Sequence, residues 1–311
     1  MTQPRRVSPG RAPDDARPRP RFICVGAGKA GTTWLWEMLR RHPDVFLPEI
    51  KEIHYFNDIA YEGSDIRNPN YGKPLDWYLR HFSPARPDQV CGEITPSYLW
   101  NEQAALRIHE FDPDIRIIVM LRDPVERLFS SYLFGQQKGE IGRISFEHAL
   151  ERIDYLLQRS TYCRSLRRYL DRFDPVNVKV VFHEDLLSDP VGLLEDVQRF
   201  IGVRPDAPAD VAERRNVTGE SRYPGITTSL MSVRIRLKRH GLEWLVPVGN
   251  TLGLGALFRF FQSQVRPYDV RPAVSRETEE RLRLAFLDDV ECLEALLGVD
   301  LSRWKPSTPG S

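Results

Sequence analysis

The sequence predicts a three-layer α/β sandwich built on a mostly parallel central sheet. Three observations carry this expectation. Short apolar strands alternate with amphipathic helices from Arg21 onward, Ile117–Leu121 is apolar on both faces, and a glycine-rich loop joins the first strand to the first helix. Strand–helix alternation selects parallel pairing, and a strand with no polar face is one that helices cover on both sides.

Phe22-Ile23-Cys24-Val25 reads as a short buried strand, with Gly26–Gly31 as the loop after it. A helix follows from about Thr32 to Arg41, with Trp34, Leu35, Met38 and Leu39 on one face and His42-Pro43 ending it. Further strands are predicted at Val45–Leu47, Gln89–Gly92, Ile115–Leu121 and Val178–Phe182. Asp123-Pro124-Val125-Glu126 supplies an N-cap, a proline at N1 and an acid at N3, and so starts a helix. Ser188-Asp189-Pro190 starts another, expected to bury Val191, Leu194, Val197 and Ile201. A last helix runs from about Ser275 to Leu297 and stops at Gly298.

The 311 residues suffice for one large domain, and 41% hydrophobic with 28% charged residues places it among globular chains. Residues 1–20, rich in Pro and Arg, read as a disordered tail, and 21–311 as the single domain. Residues 223–270 stand apart within it as a variable subdomain or a lid over an acceptor site. There Leu230, Val233 and Leu237 share a helical face beside Arg234, Arg236, Lys238 and Arg239. The net charge of +1 provides no basic field for nucleic acid. Cys24, Cys91, Cys163 and Cys292 lie far apart with no CxxC pair, so neither a disulfide nor a zinc site is expected. With no secretory leader and no apolar run of about 18 residues, no transmembrane segment is expected and the location is read as cytoplasmic.

The chemistry concentrates in a few segments. Gly26-Ala27-Gly28-Lys29-Ala30-Gly31-Thr32-Thr33 sits between strand and helix, where backbone N–H groups and the helix dipole cradle a phosphate. It is not G-x-x-x-x-G-K-[ST]: the place of that motif's lysine is taken by Thr32, and the lysine comes earlier, at Lys29. Arg122, in Leu121-Arg122-Asp123-Pro124-Val125-Glu126-Arg127-Leu128-Phe129-Ser130, follows a buried strand, at the end where ligands of open α/β sheets bind. In Lys51-Glu52-Ile53-His54-Tyr55-Phe56, Glu52 and His54 are two apart and on a strand would share a face. Asp123 reads as a structural N-cap and Arg127 as an ion-paired residue.

With these segments in this order, the chain resembles the sulfotransferases that use 3′-phosphoadenosine 5′-phosphosulfate (PAPS), in particular the heparan-sulfate-type and bacterial carbohydrate or metabolite members. The resemblance spans Arg21 to Asn216, with Gly298–Trp304 like the family's terminus. It implies that Gly28, Lys29, Ala30, Gly31, Thr32 and Thr33 hold the 5′-phosphosulfate, with Lys29 on the bridging oxygen, and that Arg122 and Ser130 hold the 3′-phosphate. It implies Glu52 as the catalytic base, with His54 supporting it or replacing it. Tyr162, in a segment lacking the family's glycine, would lie near the adenosine, and Arg215 would belong to a basic loop that closes over PAPS. Ile94, in Gly92-Glu93-Ile94-Thr95-Pro96-Ser97-Tyr98, stands where glycan-acting relatives carry lysine, which weakens the case for a sulfated polysaccharide as acceptor.

The implied activity is sulfuryl transfer from PAPS, without a metal, to a hydroxyl or amine of a sugar, lipid or secondary metabolite. Two other readings remain open at this point. A P-loop-type kinase needs a hydroxyl and a carboxylate around Mg²⁺, and only Asp123 offers itself. A non-catalytic nucleotide-binding module would have no use for Lys29 and Glu52.

Overall fold

The computed structural model describes residues 17–59, 67–212, 219–239, 265–268 and 272–307, together with residues 256 and 260. Most of the expected tail, Arg215, and residues 240–255 of the expected lid lie outside them.

In the first half, β1 (Pro20–Gly26), α1 (Thr32–Leu39), β2 (Val45–Phe46), α2 (Leu75–Leu79), β3 (Val90–Ile94), α3 (Ala104–Phe111), β4 (Arg116–Leu121) and α4 (Pro124–Lys138) follow one another. Then come α5 (Phe146–Arg152), α6 (Asp154–Gln158), α7 (Cys163–Leu170), β5 (Val178–Phe182), α8 (His183–Ser188) and α9 (Pro190–Ile201). A small hairpin-like pair, β6 (Gly219–Ser221) and β7 (Val265–Pro267), flanks α10 (Pro224–Arg239) in sequence, before the C-terminal helix Arg276–Leu297.

The main sheet has the order β2-β3-β1-β4-β5 with every neighbouring pair parallel. The chain lays β1, β2 and β3 to one side, then β4 and β5 to the other. The switch point therefore falls between β1 and β4, where open sheets of this kind hold ligands beyond the carboxyl ends of the strands. Phe22–Val25 and Ile117–Leu121 have no exposed surface, as the two-sided apolar pattern predicts.

Local chemistry sets the helix ends. Asp123 Oδ1 accepts from the backbone N–H groups of Val125 (2.9 Å) and Glu126 (3.2 Å), so α4 begins as expected. Ser275 caps the C-terminal helix through Thr278 N, and Gly298, at φ 66°, ends it in the left-handed region.

Three expectations change. On α9 Val191 is exposed and Leu193 is buried instead, because the inward stripe runs Leu193, Leu194, Val197, Ile201. On α10 Thr227 and Met231 are buried, whereas Val233 faces out. Thr227 packs against Gly139 at the end of α4, where a Cβ would lie 2.6 Å from the Thr227 backbone.

The third correction concerns cysteine. Cys163 and Cys292 form a disulfide with a Cα–Cα distance of 5.9 Å and a sequence separation of 129. Only the fold brings the start of α7 against the C-terminal helix, so spacing in the sequence gave no sign of the pair. Asp289, on the same helix as Cys292, accepts from Tyr162 N (2.6 Å) and Cys163 N (3.0 Å), joining the two segments a second time. A disulfide stabilises by about 2–4 kcal/mol, and closing a loop as long as this one lies at or above the upper end of that range. Urea unfolding with and without reductant should show a drop of that order, absent in Cys292→Ser; equal midpoints for the native chain would remove the bond from the account. Among the described residues no helix is long and apolar enough to cross a membrane.

Candidate active site

The phosphate loop leaves β1 at Gly26, whose φ of 146° and lack of Cβ are both needed: a Cβ would come within 2.7 Å of Pro96 O. Ala27 N donates to Met120 O (2.6 Å), tying the loop to the end of β4. Lys29 has a positive φ of 70°. Gly31, at φ 100°, opens α1, and no side chain caps that helix. Its first N–H groups thus face the loop with no side-chain acceptor, the arrangement that receives an anion. Thr32 is buried and Thr33 half-buried at this helix start.

Two arginines fasten the loop from outside. Arg122 Nη1 donates to Lys29 O (3.2 Å) and its Nη2 pairs with Glu126 at 2.9 Å. Arg127, fully buried, donates through Nε to Gly28 O (3.2 Å) and through Nη1 to Ser160 Oγ (3.1 Å). Its hydrogen-bond partners are therefore a loop carbonyl and a hydroxyl, where an ion pair was expected. Asp123 pairs with Arg283 at 3.1 Å in addition to capping α4. Tyr162 is buried and its hydroxyl donates to Arg122 O (2.8 Å).

Arg127, Ser130, Phe134 and Lys138 recur at helical spacing along α4. Phe134 lies under the Lys29 ammonium, 3.9 Å from Nζ to ring centroid, and Lys138 is 5.5 Å from the same ring. Burial, reinforced by the charges of Arg122, Arg127, Lys51 and Lys138, pushes the Lys29 pKa down to about 8. That crowd of cations around one uncapped helix start is a site for a multiply charged anion.

The segment expected to carry the base lies alongside. Glu52 N donates to Ile94 O (3.2 Å). Glu52 and His54 both have positive φ, 67° and 56°, so the segment is a left-handed turn and not the strand expected. The turn still brings the two side chains together: His54 Nε2 lies 3.7 Å from Glu52 Oε2, and Lys51 Nζ lies 2.7 Å from Oε1. Burial lowers the His54 pKa, and the Glu52 charge offsets this only in part. Asn68 Nδ2 donates to His54 O and Asn70 Nδ2 to Ile53 O (2.9 Å), strapping the turn in place.

The structure thus brings Arg122, Arg127 and the α4 stripe that carries Ser130 and Phe134 against the loop of Lys29 at the start of α1, with Glu52 and His54 reached through Lys51. Sequence reasoning missed Phe134, Lys51 and Ser97, whose Oγ lies 3.0 Å from His54 Nδ1. Phe134 could have been found, since it follows Ser130 by one helical turn. Among the described residues no group of three or more His, Cys, Asp or Glu side chains is placed to hold a metal.

A lysine-bearing glycine-rich loop at the switch point of a parallel sheet is a P-loop-like arrangement. The comparisons narrow the class. A family model described as a sulfotransferase domain matches residues 19–218. Human heparan sulfate glucosamine 3-O-sulfotransferase 5 is 29% identical over 199 residues, covering 60% of this chain and 54% of that protein. Human heparan sulfate glucosamine 3-O-sulfotransferase 6 is 34% identical over 192 residues, covering 60% and 53%. A crystal structure of a sulfotransferase from Alicyclobacillus acidocaldarius superposes with a TM-score of 0.67 at 27% identity, covering 92% of this chain and 98% of that one. The chain spans about half the length of the two curated relatives. It belongs to the sulfotransferase domain family.

Proposed function

We propose that this protein transfers a sulfuryl group from PAPS to a hydroxyl or amine of a sugar or small metabolite. The observation that carries the reading is Lys29, held at the uncapped start of α1 among four other cations. The residues present fit the cofactor: an adenosine carrying a phosphate and a phosphosulfate needs cations at two places, and the crevice offers Lys29 at the loop and Arg122 beyond β4. When bound, the cofactor supplies the activated sulfuryl group. Gly28–Thr33 would hold its phosphosulfate end by backbone N–H groups, with Arg122 and Ser130 at the 3′-phosphate. Glu52 would take the acceptor proton, and Lys29 would stabilise the charge left on phosphate.

Asp123 speaks against the kinase reading: both of its oxygens are engaged, one by the α4 N-terminus and one by Arg283. The buried Ile94 gives the acceptor side no cation at that position, in keeping with an acceptor less anionic than heparan sulfate. The described part of 223–270 packs on α4 next to the site-bearing stripe, which supports its reading as an acceptor lid.

Labelled sulfate should move from PAPS to an acceptor in a screen read by the mass gain of one sulfuryl group. PAP, the desulfated product, should bind much more tightly than AMP. Arg122→Ala should remove most of that preference, a loss of about 1.5–3 kcal/mol for bonds to a charged group. Equal affinities for PAP and AMP in the native chain would sink the assignment of the 3′-phosphate site.

A further inference from the structure

We propose that Ser97 is a positioning residue of this reaction, fixing the tautomer and orientation of His54 so that an imidazole N–H faces the Glu52 carboxylate. The inference rests on the reading of Glu52 as base and adds a residue that the family resemblance does not supply.

Ser97 sits in a 3₁₀ turn, Pro96–Tyr98, directly after β3. The turn is rigidly placed. Thr95 N donates to Cys24 O (3.0 Å) and Leu99 N to Val25 O (2.7 Å), so both its flanks are hydrogen-bonded to β1 just before the phosphate loop. The same turn reaches the base segment twice. Tyr98 OH accepts from Tyr55 N (2.8 Å), which holds the backbone, and Ser97 Oγ lies 3.0 Å from His54 Nδ1, which holds the ring. One short element therefore fixes the phosphate loop and the base segment relative to each other.

A neutral imidazole has one donor and one acceptor nitrogen, and each nitrogen here has a distinct neighbour. If the Ser97 hydroxyl donates to Nδ1, the proton of the ring is on Nε2 and points at Glu52 Oε2. In the other tautomer the Nε2 lone pair would face the carboxylate, which is repulsive. Electrostatics select the first. The 3.7 Å between Nε2 and Oε2 exceeds hydrogen-bond range, yet the N–H dipole still acts on the carboxylate across it. Lys51 faces the other oxygen at 2.7 Å. The Asn57 side chain also reaches the imidazole, and Lys29 lies beyond Lys51. The Glu52 carboxylate thus has a cation at one oxygen and the imidazole facing the other.

The test is made on the full chain with ¹⁵N-labelled histidine and PAP bound. His54 should show a protonated Nε2 and an unprotonated Nδ1. Ser97→Ala should mix the tautomers and lower kcat about five- to tenfold, the size of one neutral hydrogen bond, with acceptor KM and PAP affinity unchanged. Ser97→Thr, which keeps the hydroxyl, should restore both signals. A protonated Nδ1 in the native chain overturns the proposal, as does Ser97→Ala with unchanged tautomer and turnover. Weakened PAP binding in Ser97→Ala overturns it too, by making Ser97 a packing residue of the phosphate loop. Glu52→Gln separates the two readings: if it keeps turnover while the His54 signals are as expected, the base assignment fails and the tautomer assignment stands.

Discussion

Glu52→Gln should lower kcat by about 10²–10⁴-fold, the usual cost of losing a general base, while PAP affinity stays near native. An acceptor hydroxyl is a poor nucleophile until its proton leaves, and a carboxylate within reach can take it as the new S–O bond forms. Glu52 is suited by position: its side chain is 39% exposed, open to an incoming acceptor. The amide keeps the shape of the side chain, and the ion pair with Lys51 that it gives up is partly solvated and worth little. Loss of turnover would therefore report on the proton and not on folding. His54→Ala is the control. Near-native turnover in Glu52→Gln together with its loss in His54→Ala would make the imidazole the base.

The framework was legible because its signals are local. Apolar runs at Phe22–Val25 and Ile117–Leu121 and the Asp123-Pro124 start of α4 each follow from a few adjacent residues, and all three are found where expected. Lys29, Thr32, Thr33, Arg122 and Ser130 stand out in the sequence because they adjoin such elements. The base segment was legible in composition but not in shape. The left-handed φ values at Glu52 and His54 are imposed by Asn68, Asn70 and Tyr98, which are distant in sequence. The same is true of Cys163–Cys292, of Arg127 on Gly28 O, and of Phe134 beneath Lys29. Glu93 illustrates the limit well. The sequence shows a carboxylate beside Ile94, and only the fold shows it buried among Tyr98, Tyr78 and Thr95, with its pKa pushed up to about 7 by burial.

In the proposed reaction Glu52 and Lys29 act at different ends of the transfer, and Lys51 stands between them. Lys51 pairs with Glu52 and at the same time raises the positive potential felt by Lys29. A bound anion would therefore strengthen one side of the site without discharging the other. Removing the Glu52 carboxylate should therefore affect turnover alone, whereas removing the Lys29 charge should affect binding and stability as well.

Lys29→Met should abolish most turnover and yet make the cofactor-free protein more stable at neutral pH. The Lys29 ammonium stands among Arg122, Arg127, Lys51 and Lys138, and burial with those charges brings its pKa from 10.5 down to about 8. A lysine whose folded pKa is depressed contributes stability in full only above its unfolded pKa, and that contribution is lost as pH falls through about 8. Near pH 7 the charge is therefore a cost. The shift sets an upper limit of about 3 kcal/mol, and partial exposure with the Phe134 contact reduces it to about 1–2 kcal/mol. Methionine fills the place over the Phe134 ring without the charge, so urea unfolding at neutral pH should show the gain. An anionic ligand reverses the balance, because it draws the lysine pKa back up. PAP affinity in the native chain should accordingly fall as pH rises above about 8, and Lys29→Met should bind PAP weakly with no such fall. Turnover should drop about 10²–10³-fold, the cost of removing one group that stabilises developing charge. A variant that is no more stable, and whose PAP affinity follows the native pH curve, would show that Lys29 does not stand in the anion site.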